Sequence, residues 1–208
     1  MTSSEMQQNP LFLRNEFETF VIWNIPIVRK NSIHLEKINL LACSDTKKND
    51  SEYKKQFGVH FFVDDYRFDG IYRNPEKTLK KYSQYKFLLT PDFSLYANMP
   101  LWLQLSNVAK NRWVGAYWQS KGLNVIPTIS WSTAQSFKFC FDGVEKNSIV
   151  AVGMIGSKRN NHFEFMMGYE KMLEYINPEA IICFGEPFTE MKGNLIKIDY
   201  SSSRKVVR

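Results

Sequence analysis

Short, almost wholly apolar segments recur along this chain, and nearly every one ends in a polar residue before a helix-forming stretch begins. Val59–Val63 runs into Asp64-Asp65, Phe87–Pro91 into Asp92 with Ser94 just beyond, and Asn124–Pro127 into Thr128, Ser130 and Trp131. Ile149–Val152 runs into Gly153 and then Gly156-Ser157-Lys158-Arg159, and Ala180–Phe184 into Gly185-Glu186. Strands that are apolar throughout need cover on both faces, which parallel sheets have and exposed antiparallel ones lack. Strand–helix alternation at spacings of about 25 to 35 residues means βαβ units with right-handed crossovers. The chain is therefore expected to be a single α/β domain with a mostly parallel sheet, as a small or incomplete barrel-like arrangement. The alternative is an open doubly wound sheet. Polar residues at the strand ends favour the barrel-like form, although 208 residues is near the lower limit for eight βα units.

Helix signals fit between these strands. Asn74-Pro75 predicts a start, with proline at the first helical position, for a helix to about Tyr82. Pro100 opens the longest helix, which stops near Gly122, and Leu101, Leu105, Val108, Trp113 and Ala116 along it share a face. Ser132 or Thr133 caps a short helix through Phe139, and Asn160 or Asn161 caps one to Tyr175 that Asn177-Pro178 terminates. Residues 1–16 are polar and expected to be mobile, 17–200 form the domain, and 201–208 are a basic tail. Phe17–Val28 predicts an edge or capping strand, since Pro26 argues against a central one.

Composition narrows the function classes. No run approaches the roughly 18 apolar residues that span a membrane, and the N-terminus lacks a basic start and apolar core, so the chain reads as cytoplasmic. Cys43, Cys140 and Cys183 are odd in number and far apart, and His34, His60 and His162 are scattered, so buried thiols are expected and a zinc site is not. No haem or dinucleotide is expected either. A net charge of +6 favours polyanions mildly, yet no basic block is dense enough to mark a nucleic-acid arm.

Two features carry candidate chemistry. Asp64, Asp92 and Glu186, each at a strand's carboxyl end, are candidate catalytic residues and could together hold Mg²⁺ or Mn²⁺ through oxygen ligands. They could equally cap the turns that follow. Asp64 and Asp65 are consecutive, so both face one site only if both lie past the strand. Gly156, Ser157, Lys158 and Arg159, just before a helix, are a candidate anion site, although the glycine spacing matches neither a P-loop nor a dinucleotide fingerprint. Ser94, Thr128, Ser130 and Trp131 are candidate substrate-wall residues. Asn111–Gln119 is dense in aromatic residues. Trp113 reads as core, while Arg112, Trp118 and Gln119 could serve stacking on a base or sugar, and Trp118 could serve a dimer contact. No Ser or Cys nucleophile stands obviously beside a histidine, so acyl transfer is not expected.

Phe62–Phe68, Thr90–Tyr96, Asn111–Gln119, Val125–Trp131, Phe139–Gly143 and Ile182–Gly185 are similar, in combination, to the domain-of-unknown-function family forty-four seventeen. That family belongs to Gram-positive bacteria, their phages and mobile elements. The resemblance runs roughly from Trp23 to Tyr200. It implies a single intracellular domain of the kind carried by phage or mobile DNA, and brings no catalytic assignment.

The leading expectation is a phage- or mobile-element-type protein acting on a nucleotide or nucleic-acid phosphate, by divalent-metal-assisted hydrolysis. The alternative is a non-catalytic protein that binds nucleic acid, a nucleotide or a host protein. A third, carbohydrate hydrolysis by paired carboxylates beside Trp131, fits barrel geometry but suits a basic intracellular protein less well. Whether the chain is an enzyme, and its oligomeric state, stay open at this point.

Overall fold

In the computed structural model, which describes residues 2–20, 22–33, 35, 38–155 and 161–200, the apolar segments form one run of parallel strands. They are β3 (Leu40–Ala42), β4 (Gly58–His60), β5 (Phe87–Leu89), β6 (Val125–Ile126), β7 (Ile149–Gly153), β8 (Ala180–Phe184) and β9 (Leu195–Ile198). β3 to β6 pair in sequence order, as do β7 to β9. A parallel bridge between Thr128 and Ala151 joins the two groups, with Ile129 N donating to Ala151 O at 2.8 Å and Ala151 N to Pro127 O at 2.9 Å.

Strand order that never reverses has no switch point, so the doubly wound alternative does not apply. With parallel neighbours in sequence order, the sheet curls around its own inner face. One buried cluster supports this, uniting Leu40, Leu89, Ile126, Ala151, Ile182 and Ile198 from β3 and β5 to β9. Period-two alternation sets the register: Phe62 belongs to that inner cluster, while Val59 and Phe61 pack outward against helices. At Gly58 a Cβ would meet the Phe87 ring at 2.2 Å, so only glycine lets that ring fill the interior. No ladder joins β9 to β3 among the described residues, so the barrel is incomplete.

The outer face carries α3 (Glu52–Lys55), α4 (Gly70–Arg73), α5 (Pro75–Tyr82), α6 (Leu101–Ser120) and α7 (His162–Ile176), with their apolar residues in two buried clusters. α5 starts at Pro75 as predicted, although the Asn74 side chain makes no cap bond. α6 ends at Ser120, and two residues on Gly122 takes a φ of +78°, the left-handed conformation that favours glycine. α7 closes on Asn177 at φ +48° before Pro178. Cys43, Cys140 and Cys183 are buried free thiols, and burial raises all three pKa values.

The N-terminal residues lie against α6 and α4. α1 (Ser3–Gln7) and α2 (Pro10–Leu13) precede Arg14, whose guanidinium sits 3.8 Å from the Trp113 ring centre and donates to Tyr72 O at 2.8 Å. The predicted strand in Phe17–Val28 is a two-stranded antiparallel hairpin, β1 (Thr19–Phe20) with β2 (Ile25–Pro26), outside the main sheet. No helix among the described residues is long and apolar enough to cross a membrane.

Candidate functional site

A cleft lies over the carboxyl ends of the strands, where parallel α/β architectures place their ligands. A cavity of ≈ 840 Å³ takes in Ala42, His60, Asp64, Asp92 and Phe184 from the ends of β3, β4, β5 and β8. A second of ≈ 450 Å³ extends it toward Ser130, Trp131 and Glu164. The two share Asp92, Ser94, Tyr96, Gly153 and Ile155, so they are one continuous opening.

Asp92 sits where the two halves of this cleft meet. It lines both halves, yet its Oδ1 is shielded from solvent and has no hydrogen-bond partner. Desolvation raises its carboxyl to about 7, the neighbouring Asp65 charge adds to the rise, and a hydrogen bond with Ser130 opposes it. A carboxyl that titrates near neutrality can donate or accept a proton, and gains unusually from an incoming cation.

Three side chains of α6 hold the loop that presents Asp92. Gln104, Asn107 and Asn111 recur at helical spacing, so they fall on one face of the helix. Gln104 donates to Met99 O at 2.8 Å, Asn107 to Ser94 O at 2.8 Å, and Asn111 to Pro91 O at 2.7 Å. Asp65 braces the loop from the other side, accepting from Ser94 N at 3.1 Å and Ser94 Oγ at 2.8 Å. The consecutive aspartates thus divide their roles: Asp65 positions Ser94, and Asp64 stands exposed on the cleft with Arg67 3.7 Å away.

The other predicted residues separate clearly. Ser94, Ser130 and Trp131 line the cleft. Thr128 does not: it is buried, its Oγ1 donates to Thr90 O at 2.8 Å, and its N–H is held by Thr90 Oγ1 at 2.7 Å. That hydroxyl closes the β5–β6 seam. Glu186 lies outside the lining of both cavities, exposed and ion-paired with Lys197. Asp64, Asp92 and Glu186 therefore do not converge, and no group of three or more His, Cys, Asp or Glu able to hold a metal ion occurs among the described residues. Gly156, Ser157, Lys158 and Arg159 lie outside the described residues.

The aromatic stretch of α6 is interior rather than a stacking surface. Trp118 is fully buried, which removes both the stacking and the dimer-contact readings for it. Arg112 is buried too, and its guanidinium donates to Asp142 O, Cys140 O and Thr128 O at 2.9–3.0 Å and to Asn111 Oδ1 at 2.5 Å. Burial pulls its pKa down to about 10, which leaves it charged at neutral pH. Gln119 binds the backbone of Arg29 in both directions, at 2.9 and 2.7 Å. Trp131 reaches the cleft wall by packing on α7 at Gly168, where a Cβ would meet the indole at 2.2 Å.

Several cleft residues have no counterpart in the sequence reading. Asp45 and Glu164 add carboxylates, so the described lining holds Asp45, Asp64, Asp92 and Glu164 against one cation, Arg67. Tyr96 stands exposed at the rim. His60 lies at the floor; its signal was a lone polar residue inside an apolar strand, at the parity that faces inward.

Comparison with known proteins gives a consistent family. Residues 17–201 match the model described as a Domain of unknown function (DUF4417). The chain is 38% identical over 178 residues to the "Gene 1 protein" of Mycobacterium phage L5, covering 85% of this chain and 77% of that protein. It is 34% identical over 177 residues to the "Gene 1 protein" of Mycobacterium phage D29, covering 84% of this chain and 65% of that protein. No solved structure matches the chain.

Proposed function

The chain belongs to the DUF4417 family, and we propose that it acts on the phosphate of a nucleotide or nucleic acid at the cleft over the carboxyl ends of the strands. The observation that carries this reading is Asp92, a desolvated carboxyl with an unpartnered oxygen at the mouth of a large cavity. The charge pattern adds to it. The protein carries +6 overall, which attracts a polyanion, whereas the described cleft lining is acidic. A phosphate can enter an acidic mouth when a cation is placed between the two. Mg²⁺ sites commonly use only one or two carboxylates together with substrate phosphates and waters, which Asp64 and Asp92 can supply. A divalent ion so held supplies charge neutralisation and an activated water.

In this scheme Asp92 is a ligand to the ion or the proton-transfer group, and Arg67 faces the substrate from the same rim. Ser130 and Asp65 hold the geometry around Asp92. A second reading, stoichiometric binding without turnover, draws on a specific observation: Glu186 is engaged by Lys197, so only two of the three expected carboxylates are at the cleft.

The test is incubation of the purified protein with labelled single- and double-stranded DNA and RNA, with Mg²⁺ or Mn²⁺ or with EDTA, read on native and denaturing gels. Metal-dependent cleavage that Asp92→Asn abolishes is the expected result. A shift without cleavage moves the protein to the binding reading. With neither, and with no nucleotide turnover, the proposal fails.

A further inference from the structure

Beneath the carboxylates the cavity has a floor of a different character. His60 projects inward from β4, Phe62 from the turn after it, and Phe184 from the end of β8. The Phe62 and Phe184 rings stack at 5.0 Å with 13° between planes, and the His60 ring lies 4.3 Å from Phe184. Ala42 and Gly153 add almost no side-chain bulk to this part of the lining, and the Tyr200 ring packs edge-on against Phe184 at 5.0 Å.

His60 is only 2% exposed and is the polar group of this floor. Its Nδ1 accepts the N–H of Phe62 at 3.2 Å, which places the ring proton on Nε2. That Nε2 is shielded from solvent and has no partner. The imidazole stays neutral, because burial pushes its pKa down to about 3. A buried donor without an acceptor is costly, and such groups are rare unless something outside the chain completes them. His60 cannot ligate a metal through Nε2 while that nitrogen carries the proton. What it suits is an acceptor atom on a ligand.

The floor therefore combines packed aromatic rings, small neighbours and one hydrogen-bond donor in the same cavity as the carboxylates. A flat ring with an acceptor on its edge fits this chemistry, and every nucleobase is such a ring. We infer that the cavity floor receives the nucleobase of the ligand, with the Nε2–H of His60 donating to an acceptor on the base edge. The inference rests on the reading of the mouth as a phosphate site and names what lies on the other end of the substrate. A volume of ≈ 840 Å³ leaves ample room for a base, its sugar and a phosphate. The same unit comes from a free mononucleotide or from an unpaired base in a single strand, whose neighbouring base would meet the exposed Tyr96 at the rim.

The experiment is equilibrium binding to the whole 208-residue chain by calorimetry in Mg²⁺ buffer. The ligands are the nucleoside 5′-monophosphates, the unmodified nucleosides, ribose 5-phosphate, and a single-stranded oligonucleotide with or without one abasic residue. The variants are His60→Phe, which keeps the ring volume without the donor, His60→Gln, which restores a donor, and Phe184→Leu. The expected result is at least tenfold tighter binding of a nucleotide than of ribose 5-phosphate. Loss of about tenfold in His60→Phe, with partial recovery in His60→Gln, is expected from one hydrogen bond. Tight mononucleotide binding identifies the free nucleotide as the source, and binding confined to the oligonucleotide and lost at the abasic residue identifies the strand. Equal binding of ribose 5-phosphate and nucleotide overturns the base site and leaves the phosphate reading standing. Nucleosides that bind as well as nucleotides support the base site and overturn the phosphate reading. Binding of none of these ligands overturns both. Should His60→Phe fail to fold, the wild-type ligand series and Phe184→Leu still decide the matter.

Discussion

Replacing Asp92 with asparagine should stabilise the protein at alkaline pH while removing its function. In the unfolded chain the carboxyl titrates near its model value of 3.8, and in the folded protein burial raises it to about 7. The unfolded state therefore releases its proton first. Below pH 3.8 the group favours neither state. As pH rises through the window between the two values folding loses stability, and the full cost is reached above the folded pKa. At 1.36 kcal/mol per unit the whole shift amounts to about 4 kcal/mol, of which about 2.5 kcal/mol falls between pH 5 and pH 8. Asparagine keeps the shape and cannot ionise. Urea unfolding at pH 5 and pH 8 measures the effect, because a loss of this size moves the wild-type midpoint by roughly 1 M. The wild type should lose stability across that interval, and Asp92→Asn should lose about 2.5 kcal/mol less. Burial also raises the pKa of Asp142, which contributes a slope of the same sign, but that slope is common to both proteins and cancels in the difference. Identical pH slopes in the two proteins would show that Asp92 is solvated or already paired, and would remove the central support for the cleft chemistry.

Arg112→Met should cost about 3–5 kcal/mol by chemical denaturation, because it leaves the buried carbonyls of Cys140 and Asp142 and the Asn111 Oδ1 without their donor and removes one of two donors to Thr128 O. A loss under about 1 kcal/mol would mean those carbonyls find other donors. Gly168→Ala should lower stability by about 1–3 kcal/mol and shift the tryptophan emission, since the added methyl displaces Trp131; unchanged emission refutes that packing. Glu186→Ala should change stability by less than about 1 kcal/mol and leave cleft binding intact, because the Glu186–Lys197 pair is exposed. Loss of binding in that variant would return Glu186 to the site.

Much of the fold was legible in the chain itself. The five apolar segments that run into polar ends are local patterns, and strand period, proline and glycine read the same in isolation as in the folded protein. The parallel pairing followed from crossover length. The barrel-like choice over a doubly wound sheet also held, for strand order runs in sequence and one inner cluster joins β3 and β5 to β9. Legibility declined just past each strand end. Asp64 and Asp65 differ by one position, yet one faces the cleft and the other binds Ser94, because the turn after β4 decides their directions. Sequence places Thr128 and Ser130 two residues apart with similar hydroxyls. Only the neighbouring Thr90 makes the first a seam residue and leaves the second beside Asp92.

The sequence by itself determined which segments are strands and that the sheet is parallel, with strand ends only to within a few residues. Each of these follows from interactions over a few residues or from one helix's length. Tertiary structure alone decided which polar groups are left without partners at the strands' carboxyl ends. Arg112 became a structural cation because carbonyls from residues 128, 140 and 142 converge on it, and Glu186 left the site because Lys197 of the next strand lies beside it. Asp92 and His60 acquired their character the same way, since desolvation depends on every chain segment packed around a group and on no single stretch of sequence.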